Sequence, residues 1–138
     1  MADIKYAEPG DLDFFLEQDQ HISANKRELL EQRLEHKQII KAVVDNQIIA
    51  WLRFSYLWGD IPFMNFIFVR EEFRGQGIGA RMLSFWKKEM QKKDFKTLMT
   101  SSLADEQGQF FHRKHGFEDC GCFILDDEAL EIIFKKKI

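Results

Sequence analysis

The sequence predicts a single mixed α/β (α+β) domain, a mainly antiparallel central sheet flanked by helices. Three observations predict it. Strand-like and helix-like segments mix along one chain without regular βαβ units. Two stretches rich in β-branched and aromatic residues meet at Asp45-Asn46, as in a tight hairpin. A glycine-rich loop follows a long apolar run and opens directly into an amphipathic helix. At 138 residues, with no repeat, low-complexity tract or Gly/Ser/Pro linker, residues 1–138 read as one domain.

Taken in order, Ile4 to Ala7 reads as a short strand ended by Glu8-Pro9-Gly10-Asp11. Leu12, Phe15, Leu16 and Asp19 then carry helical spacing. A second helix is expected from Ser23, which can cap it, with Leu29, Leu30 and Leu34 on one face. Ile39 to Val44 and Gln47 to Tyr56 form the hairpin, and Gly59-Asp60 separates it from Ile61 to Val69. That apolar run reads as a strand buried on both faces at the centre of the sheet. The helix after the loop puts Ile78, Met82, Leu83, Trp86 and Met90 inside and Arg81, Lys87, Lys88 and Lys92 outside. Strands near 97–101, 117–125 and 131–135 and a helix near 106–115 close the chain.

Composition narrows the function. A formal charge of −3 lacks the surplus of Lys and Arg that phosphate contacts require, so no nucleic acid is expected as partner. Asp3, Glu8 and Asp11 stand where a signal peptide would be basic and then apolar, and no apolar run reaches membrane-spanning length, so a cytoplasmic location with no membrane contact is expected. Cys120 and Cys122 are too close to close a stabilising loop and read as reduced thiols.

The loop carries the chemistry. Glycines ahead of a helix let the backbone approach a ligand while the free N–H groups of the first turn point at an anion, which implies a phosphate-bearing ligand. Gly75-Gln76-Gly77-Ile78-Gly79-Ala80 also satisfies the dinucleotide pattern G-x-G-x-x-G/A, with Asp94 near the offset of a ribose-binding acid. A dinucleotide unit needs its loop after the first strand of a βαβ, whereas this one follows hairpins in mid-chain and Asp94 precedes its strand. Glycines that only end a strand and start a helix are the bland alternative; three at alternate positions behind an arginine weigh against it.

Arg74-Gly75-Gln76-Gly77-Ile78-Gly79 resembles the Arg/Gln-x-x-Gly-x-Gly/Ala signature by which GNAT superfamily N-acetyltransferases hold coenzyme A. The likeness runs over nearly the whole chain and includes Gly116-Phe117, where the family often has Gly-Phe. It implies acetyl-CoA as cosubstrate, with no metal, and a primary amine on a small molecule or peptide as acceptor. By the same resemblance, Phe68 and Val69 lie where main-chain groups bind the pantetheine arm. Arg74, Gly75, Gln76, Gly77, Ile78, Gly79 and Ala80 would then surround the pyrophosphate. The amine would attack the thioester directly in a ternary complex, and a strand N–H would polarise its carbonyl.

Two proton transfers remain, and here the chain departs from the family. Where the family often has a tyrosine as acid for the thiolate, Phe111-His112-Arg113-Lys114-His115-Gly116 presents His112. Histidinium could donate, though only a minority of an unperturbed imidazole is charged at neutral pH. Contact with coenzyme A alone, or simple packing, are the other readings of His112. Some members use a glutamate near the start of the buried strand as base; Pro62-Phe63-Met64-Asn65 has none, leaving Asp60, Glu71 and Glu72 as alternatives. A coenzyme A-binding module without catalysis is therefore the rival function.

Three patterns carry less. His112, His115, Cys120 and Cys122 are all ligand types, but C-x-C and H-x-x-H are not common zinc spacings. Trp51, Phe54, Tyr56 and Trp58 are expected mostly in the core, with any that line the acceptor cleft favouring a cationic or apolar acceptor. The apolar residues of the closing strands, Phe123, Ile124, Leu125, Ile132, Ile133 and Phe134, suit either a homodimer or burial within a monomer.

Overall fold

The structure is a computed structural model and describes residues 1–138. Seven strands and four helices follow one another as β1 (Asp3–Tyr6), α1 (Leu12–Gln18), α2 (Lys26–Glu35), β2 (Ile39–Val44), β3 (Gln47–Leu57), β4 (Ile61–Val69), α3 (Ile78–Lys92), β5 (Thr97–Leu103), α4 (Gly108–Lys114), β6 (Glu118–Phe123) and β7 (Glu131–Lys137). The strands form a sheet in the order β1-β2-β3-β4-β5-β7-β6. β1 with β2, β2 with β3, β5 with β7 and β6 with β7 pair antiparallel and β4 with β5 parallel, which confirms the mixed, mainly antiparallel sheet. Contacts divide the chain into two compact units, Met1–Arg53 with Phe66–Phe85, and Phe54–Asn65 with Trp86–Ile138.

In the first unit, β1 pairs with β2 and β2 with β3, Ile40 lying opposite Leu52 and Ala42 opposite Ala50. Asp45 and Asn46 both take positive φ, 49° and 63°, as a tight hairpin requires. Alternation along β3 sends Trp51 into a core of Ala7, Phe15, Leu30, Leu34 and Ile39. Trp51 meets Phe14, Phe15 and Phe68 edge-on or tilted at 5.6, 5.7 and 4.9 Å, so α1 and β4 converge on one ring. Each fully buried side chain of this size contributes roughly 1.5–3 kcal/mol.

In the second unit, β5 pairs with β7 from Thr97↔Lys137 to Leu103↔Glu131, and β7 pairs with β6. Phe54 packs on Trp86 of α3 at 5.6 Å, and Tyr56 stacks on Phe95 at 5.5 Å. The parallel pairing of β4 with β5 is confined to Phe63↔Met99 and Met64↔Thr100, where Thr100 Oγ1 also donates to the Met64 carbonyl at 2.9 Å.

Several expectations need correction. The second helix begins at Lys26, not Ser23; its N-cap is Asn25 in the left-handed region at φ 50°, a conformation asparagine tolerates better than most residues. Gly59 and Asp60 do separate β3 from β4, but the turn begins at Trp58, and its positive φ falls on Trp58 and Gly59, at 56° and 71°. β4 does hold the middle place in the sheet order, but it is not buried on both faces: only Pro62 and Met64 are buried and Asn65 is exposed. Its pairing with β5 stops after Met64, so the rest of the strand lacks that neighbour. β3 is instead the deeply buried strand, enclosed from Ile49 to Phe54. Of the closing residues, Phe134 is buried while Phe123, Ile124 and Leu125 are exposed.

Candidate active site

β4 ends at Val69, and the chain passes through a short 3-10 turn, Glu71–Phe73, into the loop. The Arg70 N–H, donating to the Ile49 carbonyl at 2.9 Å, ties the end of β4 to β3. Gly75 and Gly77 have φ of 76° and 79°, a region any side chain would strain, and nothing lies within 4 Å of where their Cβ atoms would stand. The glycines are therefore required by backbone conformation, not by crowding.

That conformation delivers free donors. The first helical bond of α3 runs from the Arg81 N–H to the Gly77 carbonyl at 3.0 Å, and no N–H from Gly75 to Ala80 donates to a protein acceptor. Gly75, Gln76 and Gly77 are exposed, Ala80 is partly exposed, and Ile78 and Gly79 are buried. A row of unpaired amides at the positive end of a helix of 15 residues is an arrangement that favours a negative charge. The inner face of α3 fixes that end in place: Ile78, Met82, Leu83, Trp86 and Met90 are all buried, as their spacing predicts.

Arg74 turns back rather than outward. Its Nε donates to the Val69 carbonyl at 2.8 Å and its guanidinium carbon lies 5.6 Å from the Phe68 ring centre. Val69 therefore has its carbonyl engaged, while Phe68 and Val69 are both half-buried at the end of the strand. A groove of about 550 Å³ in this unit, lined by Lys5, Asp11, Lys41, Gln47 and Arg70 among others, contains none of the loop glycines.

His112 belongs to the second unit and is 5% exposed, packed by Phe117 and Phe134 at 6.0 and 5.6 Å. Burial lowers its pKa to about 4, a hydrogen bond to the Ser101 main chain opposes the shift, and His115 adds to it. The ring is thus neutral at neutral pH. Nδ1 is enclosed without a partner. A ring so buried and neutral favours contact or packing over proton donation.

Asp60, Glu71 and Glu72 are all exposed. A carboxyl that sequence reasoning missed is Glu131, half-buried on β7 opposite Leu103. Burial raises its pKa, a hydrogen bond from Ser101 works against the rise, and Glu106 and Glu128 add to it. A carboxylate so placed is a better proton acceptor than an exposed one. No local signal marks it, since strand pairing alone brings Ser101 beside it. Cys120 and Cys122 are free and exposed, and no three His, Cys, Asp or Glu side chains group as metal ligands.

The sequence profile of the acetyltransferase (GNAT) family matches residues 6–117. No match was found among curated proteins. The fold is similar to a GNAT family acetyltransferase from Bacillus cereus (22% identity, 99% of this chain and 97% of that one covered, TM-score 0.79). It is similar as well to the PaiA N-acetyltransferase from Thermoplasma acidophilum solved with coenzyme A (17% identity, 100% and 99% covered, TM-score 0.75). The ribosomal-protein-S18-alanine N-acetyltransferase of Escherichia coli is a third likeness (17% identity, 100% and 94% covered, TM-score 0.78). Because the profile spans most of the sequence and the structure supplies the seven-stranded mixed sheet of these proteins, the chain belongs to the acetyltransferase (GNAT) family.

Proposed function

We propose that this protein is an acetyl-CoA-dependent N-acetyltransferase that passes the acetyl group to a primary amine by direct attack in a ternary complex. One observation carries the reading: the amides from Gly75 to Ala80 stand unpaired at the N-terminus of α3. They suit a diphosphate, whose charge the helix end favours and whose oxygens accept several N–H bonds at once. Phe68 and Val69, at the strand end beside Arg74, are the residues we assign to the pantetheine arm. Coenzyme A bound to the Thermoplasma acidophilum relative supports the same ligand here.

The chemistry is then positioning. Bound thioester and amine react as neighbours, a main-chain N–H stabilises the oxyanion, and coenzyme A departs as the thiol. A second reading, coenzyme A binding without turnover, is favoured by the buried neutral His112 in the place of the family's tyrosine.

Acetyl-CoA at a hundred times its Kd should stabilise the folded chain by about 2.7 kcal/mol, read as a rise in Tm. Gly77→Val, which forces a β-branched residue into φ 79° at a cost of roughly 1–2 kcal/mol, should weaken binding at least tenfold. Thiol release with an amine panel separates the two readings. No stabilisation of the wild-type chain sinks both.

A further inference from the structure

Arg53, on β3, is 7% exposed, and its Nε donates to Asp19 Oδ2 at 3.2 Å. Asp19 is fully enclosed just beyond α1, and its Oδ1 accepts the His21 N–H at 3.2 Å. Phe66 of β4 lies 5.6 Å from the Arg53 guanidinium carbon, and the His21 ring lies 4.5 Å from the Phe66 ring. Three segments of the first unit thus hold one guanidinium still.

A second guanidinium feels this one. Arg33 stands near enough that Arg53's charge, after burial, lowers its pKa, and its Nε is enclosed with no acceptor. The Nη groups of Arg53 donate to no protein atom, yet neither is sealed in; the enclosed atoms without partners are Arg33 Nε, Gln38 Oε1, Trp51 Nε1, Trp86 Nε1 and His112 Nδ1. A pair that served packing alone would have its donors satisfied inside the protein. Here a fork of N–H groups is held in place by Asp19 and Phe66 while its Nη edge keeps no protein acceptor.

This fork adjoins the stretch assigned to the cosubstrate. Phe66 stacks nearly parallel to Phe68 at 6.3 Å, and Arg74 of the glycine loop lies on Phe68. The planar Nη pair matches the two oxygens of a carboxylate.

We propose that Arg53 determines acceptor specificity, its open Nη edge receiving the carboxylate of a small amino-acid-like amine. The inference rests on the acetyltransferase reading above. It is tested with the full chain, acetyl-CoA and matched pairs of amino acids and their amides. The pairs are compared in KM as well as kcat/KM, because amidation changes amine basicity. Acids should exceed amides by at least tenfold. Arg53→Lys keeps a charge for Asp19 but loses the fork, and should bring that preference near unity without changing stabilisation by acetyl-CoA. Amides as good as acids, or acids and amides lost equally in the variant, overturn the proposal while leaving the acetyltransferase reading intact. If acetyl-CoA binds but no amine reacts, N-acetyl amino acids titrated onto the coenzyme A complex should quench Trp51, 6.2 Å from Phe66, at least tenfold more tightly than their amides. Equal binding of the two overturns it. Absence of stabilisation by acetyl-CoA removes the acetyltransferase reading itself, and this inference with it.

Discussion

His112 shows how far a single position can depart from its sequence context. A histidine in the place of a family tyrosine invites an acid role, but the acid form is what burial removes. A pKa of about 4 in the folded chain against 6.5 unfolded makes the neutral ring the native one. The sign follows: its contribution is complete above pH 6.5 and is lost as pH falls toward 4, by about 3 kcal/mol in all. His112→Phe should therefore flatten the decline in stability between those pH values relative to wild type, as read by denaturant unfolding at a series of pH values. An unchanged slope would mean the ring is charged or exposed. Its neighbours Phe117 and Phe134 are aromatic, yet the sequence could not show that they enclose it, because the pairing of β6 with β7 and of β7 with β5 brings them together.

At the scale of elements, local chemistry was legible and distant partnership was not. Asp45-Asn46 was read as a hairpin turn because both residues tolerate positive φ, and both have it. Trp58, at φ 56°, was not, because nothing in a tryptophan announces a turn. The inner face of α3 followed from its spacing alone. Trp86→Ala should cost about 3–5 kcal/mol and Lys88→Ala less than about 0.5, since Trp86 is fully buried against Phe54 and Lys88 is exposed. Chemical denaturation of the two variants checks this; similar losses would place α3 differently. Asp19, by contrast, was read only as a helical spacing residue. Its service to Arg53 spans 34 positions, and no pattern in the intervening sequence signals it. The same blindness explains Glu131.

On the scale of the whole molecule, the sequence disclosed the class of sheet, the position of the loop between β4 and α3, and the family that these define. It did not disclose the division into two compact units, whose boundaries cut through β3, β4 and α3 instead of falling at linkers. Nor did it show that β6 would be exposed along its whole length at the sheet edge, with a register shift between Asp119 and Gly121 that interrupts its ladder. No helix is long and apolar enough to cross a membrane. What joins the sequence reading to the functional one is narrow: a short run of main-chain N–H groups with nothing to donate to.

Amide NMR spectra of the labelled chain, titrated in parallel with coenzyme A and with pantetheine, which lacks the diphosphate, test that run directly. The account predicts that coenzyme A shifts the amides of Gly75 to Ala80 strongly and that pantetheine leaves them almost unmoved. Coenzyme A that binds while those resonances stay still, or pantetheine that moves them equally, would contradict it.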